Sequence, residues 1–202
     1  MTLASWWLAI DQGIRGAFRL ARRDPGAMES FDLSVDGFYR SFLAALVTAP
    51  AYALQAAGSL LHDSWPTVAG PDGPVQVDGF YLGFAQAISY IAGWLVFPLV
   101  AILLTRLTGL TSRYVPLVVA ANWSSVLQAL VLMGAQWLSE AAGAGNGGAI
   151  VLLISVVLVL LYEWHVVRTA LQTTGLMATG FVIADILLTV IVSQAMLLVF
   201  GV

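Results

Sequence analysis

The chain has no cysteine and no lysine, and only two histidines in 202 residues. Without cysteine there is no disulfide, no thiolate metal ligand and no cysteine nucleophile. Without lysine there is neither a Ser/Lys dyad nor a phosphate-binding loop of the lysine type, and no serine stands in a Gly-x-Ser-x-Gly setting. His62 and His165 fall on opposite sides of the hydropathy pattern, which argues against a structural zinc site. Charge is scarce as well. Only 9% of residues are charged against 60% hydrophobic, and the mean hydropathy is +0.91. That leaves too little polar surface to cover a soluble globule, so the chain reads as an integral membrane protein.

Five apolar stretches, near 41–61, 80–104, 115–138, 149–168 and 176–200, are long and apolar enough to cross a hydrocarbon core of about 30 Å, which takes roughly 20 helical residues each. All eight basic residues are arginines, and they fall on one side of this pattern. Arg15, Arg19, Arg22, Arg23 and Arg40 precede the first stretch, Arg106 and Arg113 separate the second from the third, and Arg168 separates the fourth from the fifth. Segments 62–78 and 139–148 hold none. The positive-inside rule then predicts a cytoplasmic amino terminus and an outer carboxy terminus, and the arginine-only basic set with abundant alanine and glycine points by association to a bacterial inner membrane. Asp63, Asp72, Asp78 and Glu140 give the outer loops a charge of −4, and the inner segments sum to +3. The basic face should meet anionic lipid.

The amino-terminal segment lacks the compact apolar run and cleavage site of a signal peptide, because Asp11, Arg15 and Arg19 interrupt it, and is expected to be retained. At 100° per residue, Leu3, Trp6, Trp7, Ile10, Ile14, Phe18 and Ala21 share one arc, and Gln12, Arg15, Arg19, Arg22 and Arg23 another. This is the pattern of an in-plane interfacial helix, with Trp6 and Trp7 at the acyl boundary and Arg15 and Arg19 near phosphate or a partner. Gly13 and Gly16 should weaken the helix and Asp24-Pro25-Gly26 should end it. The expected organisation is an amphipathic cytoplasmic segment, 1–37, followed by a five-span domain, 38–202. The fold class is all-α, a polytopic helical bundle.

Ser41, Ala45, Ala49, Ala53 and Ala57 recur every four residues along the first stretch. Small side chains in a row let a second helix approach, which matters where lipid gives helices no hydrophobic reason to associate. The mate is either another helix of the chain or another subunit. Pro50 and Pro98 each remove a backbone donor inside a stretch and predict kinks. Trp65, Phe80, Tyr81 and Trp137 are expected at the outer interface, and Phe38, Tyr39, Tyr114, Tyr162 and Trp164 at the inner one.

The fourth stretch has 14 residues from Ala149 to Tyr162, about 21 Å of helix, so it must continue through Glu163 and His165. A turn near 174 then places Glu163 and Asp185 at similar depth. An unpaired aspartate near the bilayer centre costs roughly 2.5–3.5 kcal/mol on insertion scales, so Asp185 should face protein or water, or carry a proton. His165 or Arg168 would be the compensating cations. Thr189 and Ser193 extend the Asp185 face, and Asn122 and Ser125 share a face of the third stretch. One reading makes Glu163, Asp185, His165 and Asn122 a proton or cation site. The blander reading makes them internal pairs that hold stretches three to five together.

Other motifs fail. The glycines 143, 145, 147 and 148 lack a lysine and a preceding strand, and read as a flexible turn. Asp36-Gly37 before Arg40 opens like the phosphatidyl-alcohol transferase signature, but its later paired aspartates are absent. No cofactor, nucleic acid or enzymatic reaction is indicated.

Five spans, an amphipathic cytoplasmic amino terminus and a short outer tail resemble the layout of Yip1-type membrane proteins and their bacterial relatives. Phe38 to Pro50 and the segment from Tyr114 to Trp123 look like an uncharacterised alphaproteobacterial group, although the amino-terminal motif of the eukaryotic branch is missing. The resemblance implies topology and transfers no site residue. Two functions are therefore expected to compete. The first is a non-enzymatic accessory or scaffold subunit, with a membrane-protein partner or a second copy of itself, packing through the small-residue row. The alternative is a small transporter or proton/cation-conducting protein that uses the carboxyl pair.

Overall fold

The computed structural model describes residues 3–61, 67–70, 73–76, 79–142 and 146–200. It is an all-α helical bundle of α1 (Leu3–Ala21), α2 (Val35–Ser41), α3 (Leu43–Leu61), α4 (Gly79–Leu107), α5 (Tyr114–Ala141), α6 (Asn146–Leu171) and α7 (Gly175–Phe200). Between α3 and α4 lies a small antiparallel hairpin of β1 (Thr67–Gly70) and β2 (Gly73–Gln76), with Val68 opposite Val75. His62 and Trp65 lie outside the described residues.

Among the described residues four helices, rather than the five drawn from the sequence, are long and apolar enough to cross a membrane. They are α4, α5 with the short turn before it, α6, and α7. α3 is not among them: it is described in full only from Leu43 to Ala57, short of a crossing length, although its 19 residues rise roughly 28 Å. It nevertheless lies antiparallel against α4, where the Tyr90 hydroxyl donates to the carbonyl of Ala45 and that of Tyr52 to the carbonyl of Gln86.

Successive long helices alternate in direction. Ser124 meets Tyr162 and Ser139 meets Gly148, which sets α5 and α6 antiparallel. The Trp164 indole donates to the Gly175 carbonyl and to Thr179, both at 3.1 Å, closing the turn from α6 to α7. Arg113 donates to Gln172 across the same end of the bundle. Arg40, Arg106, Arg113 and Arg168 therefore cluster at one end, the arginine end.

The bundle is solid there and looser elsewhere. Leu117, Val118, Val119 and Ala120 of α5 are essentially inaccessible, as are Val166, Val167, Ala170 and Leu171 of α6. Toward the far end of α5, Leu130, Val131, Trp137 and Leu138 are exposed. The outer faces of α4 and α6 carry rows such as Ile91, Leu95, Leu99 and Leu103 that only lipid would cover.

The amino-terminal helix has three faces where sequence reading found two. Trp7, Phe18 and Ile14 form an apolar arc and Asp11, Arg15 and Arg22 a polar one, but Gly13, Gly16, Ala17 and Leu20 form a third that is buried against the bundle. The missing side chain of Gly13 is what lets the Trp123 ring of α5 in, since a Cβ there would stand 2.1 Å from the indole. These glycines are contact points rather than weak points. Gly148 has the same use in α6, where a Cβ would lie 2.5 Å from the Ser139 hydroxyl. Gly147 and Gly148 belong to the first turn of α6, correcting the reading of a flexible turn there.

α1 ends with Arg23 in the left-handed region, φ 58°, as α6 ends with Gln172 at φ 50°. Arg19 holds the turn by donating to Asp24 at 2.6 Å and to Ser30 at 2.5 Å. Ser34 caps α2 by accepting from the amide of Gly37 at 3.1 Å. The boundary drawn at 37/38 falls inside α2, and α1 is part of the bundle's packing.

Gly13→Leu should overpack the Trp123 contact and lower the unfolding free energy by about 1–3 kcal/mol. Gly180→Ala, where no neighbour lies within reach, should not. Thermal unfolding in detergent checks both. Separately, the Arg19 side chain and the Gly26 amide hold the Asp24 carboxyl below its usual range. Their contribution is present above the ordinary carboxylate range and is lost as pH falls through the depressed value. Amide exchange at Gly26 and Ala27, corrected for intrinsic rate, should quicken in acid.

Candidate functional site

Each of α3 to α7 contributes at least one polar residue to the lining of a cavity of about 650 Å³. The spacing within each helix explains this. Thr48, Tyr52 and Gln55 lie on one face of α3, Ser89 and Tyr90 on one face of α4, and Asn122, Ser125 and Gln128 on one face of α5. Glu163 comes from α6 and Asp185 from α7. Along α5 the lining runs from Asn122 to Gln136, about 21 Å at helical rise. The carboxyl pair and Asn122 form the deep end, roughly 12–15 Å from the arginine end of their helices.

Glu163 and Asp185 face one another across the seam between α6 and α7, both on the cavity lining. Two carboxyls placed so close disfavour double ionisation and favour a shared proton. Neither makes an ion pair among the described residues, and no arginine or histidine lines the cavity. The expected compensating cations are elsewhere. Arg168 stacks over the Trp164 ring, 5.3 Å from its centroid. His165 lies in a separate groove with Glu29, Arg168 and Gln172. Two residues along a helix is a 200° rotation, so Glu163 and His165 face opposite ways. The structure thus brings together Glu163, Asp185 and Asn122 of the expected constellation and leaves His165 out. Thr189 and Ser193 are exposed on α7 and do not extend the site.

Asn122 also holds the frame. Its amide donates to the Ser41 hydroxyl at 2.8 Å, and Ser41 donates to the Phe38 carbonyl at 2.7 Å. Of the small-residue row, Ser41 is buried, Ala45 and Ala49 are half-buried, and Ala53 and Ala57 are exposed. The inward face of α3 is instead Ser41, Ala44 and Thr48. Of the residues assigned to lipid or a partner, Trp7 is fully on the surface and Trp6 close to it, while Arg15 pairs with Asp11 at 2.8 Å and Arg19 is engaged in its turn.

Tyr162, expected at the inner interface, is a core residue. Its hydroxyl donates to the Ala17 carbonyl of α1 at 2.8 Å and shares a hydrogen bond of 2.9 Å with Ser124. It therefore ties α1, α5 and α6 together next to Glu163. Tyr39, Phe80, Tyr81 and Trp137 are exposed, as interface residues are.

Sequence reading missed the aromatic wall of the cavity. Tyr52 and Tyr90 stand 4.7 Å apart between ring centroids, Trp94 meets Tyr90 edge-on at 6.3 Å, and Phe97 and Pro98 continue the lining. The recurrence of Tyr90, Trp94 and Pro98 at steps of four was the available signal. Pro98 has no N–H to return to the Trp94 carbonyl, so the wall also carries a freed backbone acceptor.

No family model, curated protein or solved structure matches this chain. The site must be read from its own chemistry.

Tyr162→Phe should reduce stability by about 1–2 kcal/mol, by removing one hydroxyl that two groups share. Denaturant unfolding of the purified protein measures the loss.

Proposed function

We propose that this protein binds a proton or cation inside the membrane at the Glu163–Asp185 pair and acts as a small, non-enzymatic transporter or conducting protein. The observation that carries this reading is the carboxyl pair itself, two acids placed together at the deep end of a cavity on which no basic residue lies among the described residues. A pair of acids without a cation inside a low-dielectric bundle is costly to keep for structure alone, and intramembrane carboxyls of this kind mark proton and ion pathways. Two carboxyls that share one proton carry a single negative charge, and that charge is balanced either by a second proton or by a cation.

The arginine distribution supports an inner-membrane protein with the arginine end in the cytoplasm. The position of α3 alongside α4 supports a fifth crossing, which would put the termini on opposite sides. The cavity would then lie nearer the outer face, with the solid end inward. The Yip1-like layout remains a likeness of topology and lends this proposal no residue.

A second reading keeps the protein as an accessory or scaffold subunit. One feature favours it: Ala53 and Ala57 are exposed on α3, so the outer half of the small-residue row has no mate among the described residues.

In proteoliposomes, Glu163→Gln and Asp185→Asn should each abolish a pH-driven flux and remove a carboxylic C=O band from infrared difference spectra taken across a pH step. Ala53→Leu should leave both unchanged. If Ala53→Leu instead dissolves a complex isolated from the native membrane while Asp185→Asn is tolerated, the accessory reading replaces the transporter.

A further inference from the structure

The cavity is much larger than a proton or a bare metal ion requires. At about 650 Å³ it falls within the range of about 300–1,000 Å³ typical of sites for drug-sized ligands. Its walls are of two kinds. The α6–α7 side presents the carboxyl pair, and the α3–α4 side presents Tyr52, Tyr90, Trp94 and Phe97. The faces of such rings attract cations, most strongly when water is excluded, and also accept apolar groups. Leu132, Met133 and Leu152 fill much of the remaining lining with apolar surface.

We propose that the cavity binds an apolar organic monocation, of the quaternary ammonium or phosphonium class, with its charge at the Glu163–Asp185 pair and its hydrocarbon body against the aromatic wall. This rests on the transporter reading and specifies its substrate class.

Charge selects the valence. Sharing one proton, the pair offers a single negative charge and no more. Chemistry selects against a chelated metal. Among the described residues no three acidic, histidine or cysteine side chains come together, and hard divalent cations take six or more oxygen ligands, or octahedral geometry. An aromatic and aliphatic wall cannot supply that shell. It can cover a cation whose charge is already clothed in carbon.

The same pair makes binding competitive with protons. The other titratable groups on the lining are the tyrosines Tyr52 and Tyr90, and no charged residue of α3, α4 or α5 faces the cavity. A second proton on the pair neutralises the site and releases the organic cation, and loss of that proton restores the charge. The exchange is one proton for one monocation, with no other reactant.

Gly93 supplies a probe that spares the fold. It lines the cavity between Tyr90 and Trp94, and a Cβ there meets nothing within 4 Å. Leucine at this position would occupy ligand space and leave the carboxyls untouched.

The test is equilibrium dialysis of tetraphenylphosphonium against the purified full chain in nonionic detergent, at acid, neutral and mildly alkaline pH. The expected result is saturable one-to-one binding, roughly tenfold or more weaker in acid and in Glu163→Gln, Asp185→Asn and Gly93→Leu, where tenfold is about 1.4 kcal/mol. Excess sodium should not compete. The absence of saturable binding, or binding indifferent to all three substitutions, overturns the proposal, the latter by showing simple partition into apolar space. The infrared carboxyl band separates the two levels. If the band persists with its Glu163 dependence but tetraphenylphosphonium does not bind, the substrate class is wrong and the proton site stands. If the band is absent as well, both are wrong.

Discussion

A hydrogen-bonding group inside a bilayer has to find its partner within the protein, because hydrocarbon offers none. In this chain that single constraint arranges the helices. The spans are apolar almost throughout, and several of the few polar residues they contain are satisfied by facing one another. Asn122 reaches Ser41, Tyr90 reaches the Ala45 carbonyl and Thr48, Tyr162 reaches Ala17 and Ser124, and Glu163 faces Asp185. The cavity is what remains at the centre of these pairings. Its polarity and the packing of the bundle have one origin.

Within that frame the carboxyl pair differs from the other contacts. The amide and hydroxyl pairs are neutral and complete in themselves, each donor matched to an acceptor. Glu163 and Asp185 are two acids facing one another, and among the described residues no cation lines the cavity beside them. The same neighbourhood therefore contains bonds that hold the fold and a pair whose repulsion, when both are ionised, works against it.

Much of this was legible before the structure. Apolar run length and arginine placement give the helical bundle and its end, and depth bookkeeping alone put Glu163 level with Asp185. What could not be read depends on which helices touch. The face of α1 made by Gly13, Ala17 and Leu20 looks like a defect in an amphipathic pattern until Trp123 is seen against it. Tyr162 has the position and composition of an interface residue, and only its contacts with Ala17 and Ser124 make it a core one. Five spans were drawn where four helices qualify among the described residues, and the face of α3 made by Thr48, Tyr52 and Gln55 was not recognised as one turned toward a cavity. His165 was the avoidable miss, since its angle from Glu163 follows from helical geometry alone.

The contact between Gly148 and Ser139 has a mechanical consequence. It brings the backbones of α5 and α6 together over the halves far from the arginine end, while Tyr162 and Ser124 join the halves nearer to it, and this is the most extensive interface in the bundle. The two helices form a stiff plate with α1 riveted to one end. α3 and α4 touch each other less than α3 touches α5 and α4 touches α7, and a few tyrosine hydroxyls bridge them. Any breathing of the central space should open along the α3–α4 seam, and the plate should keep Glu163 at a constant height as it does so.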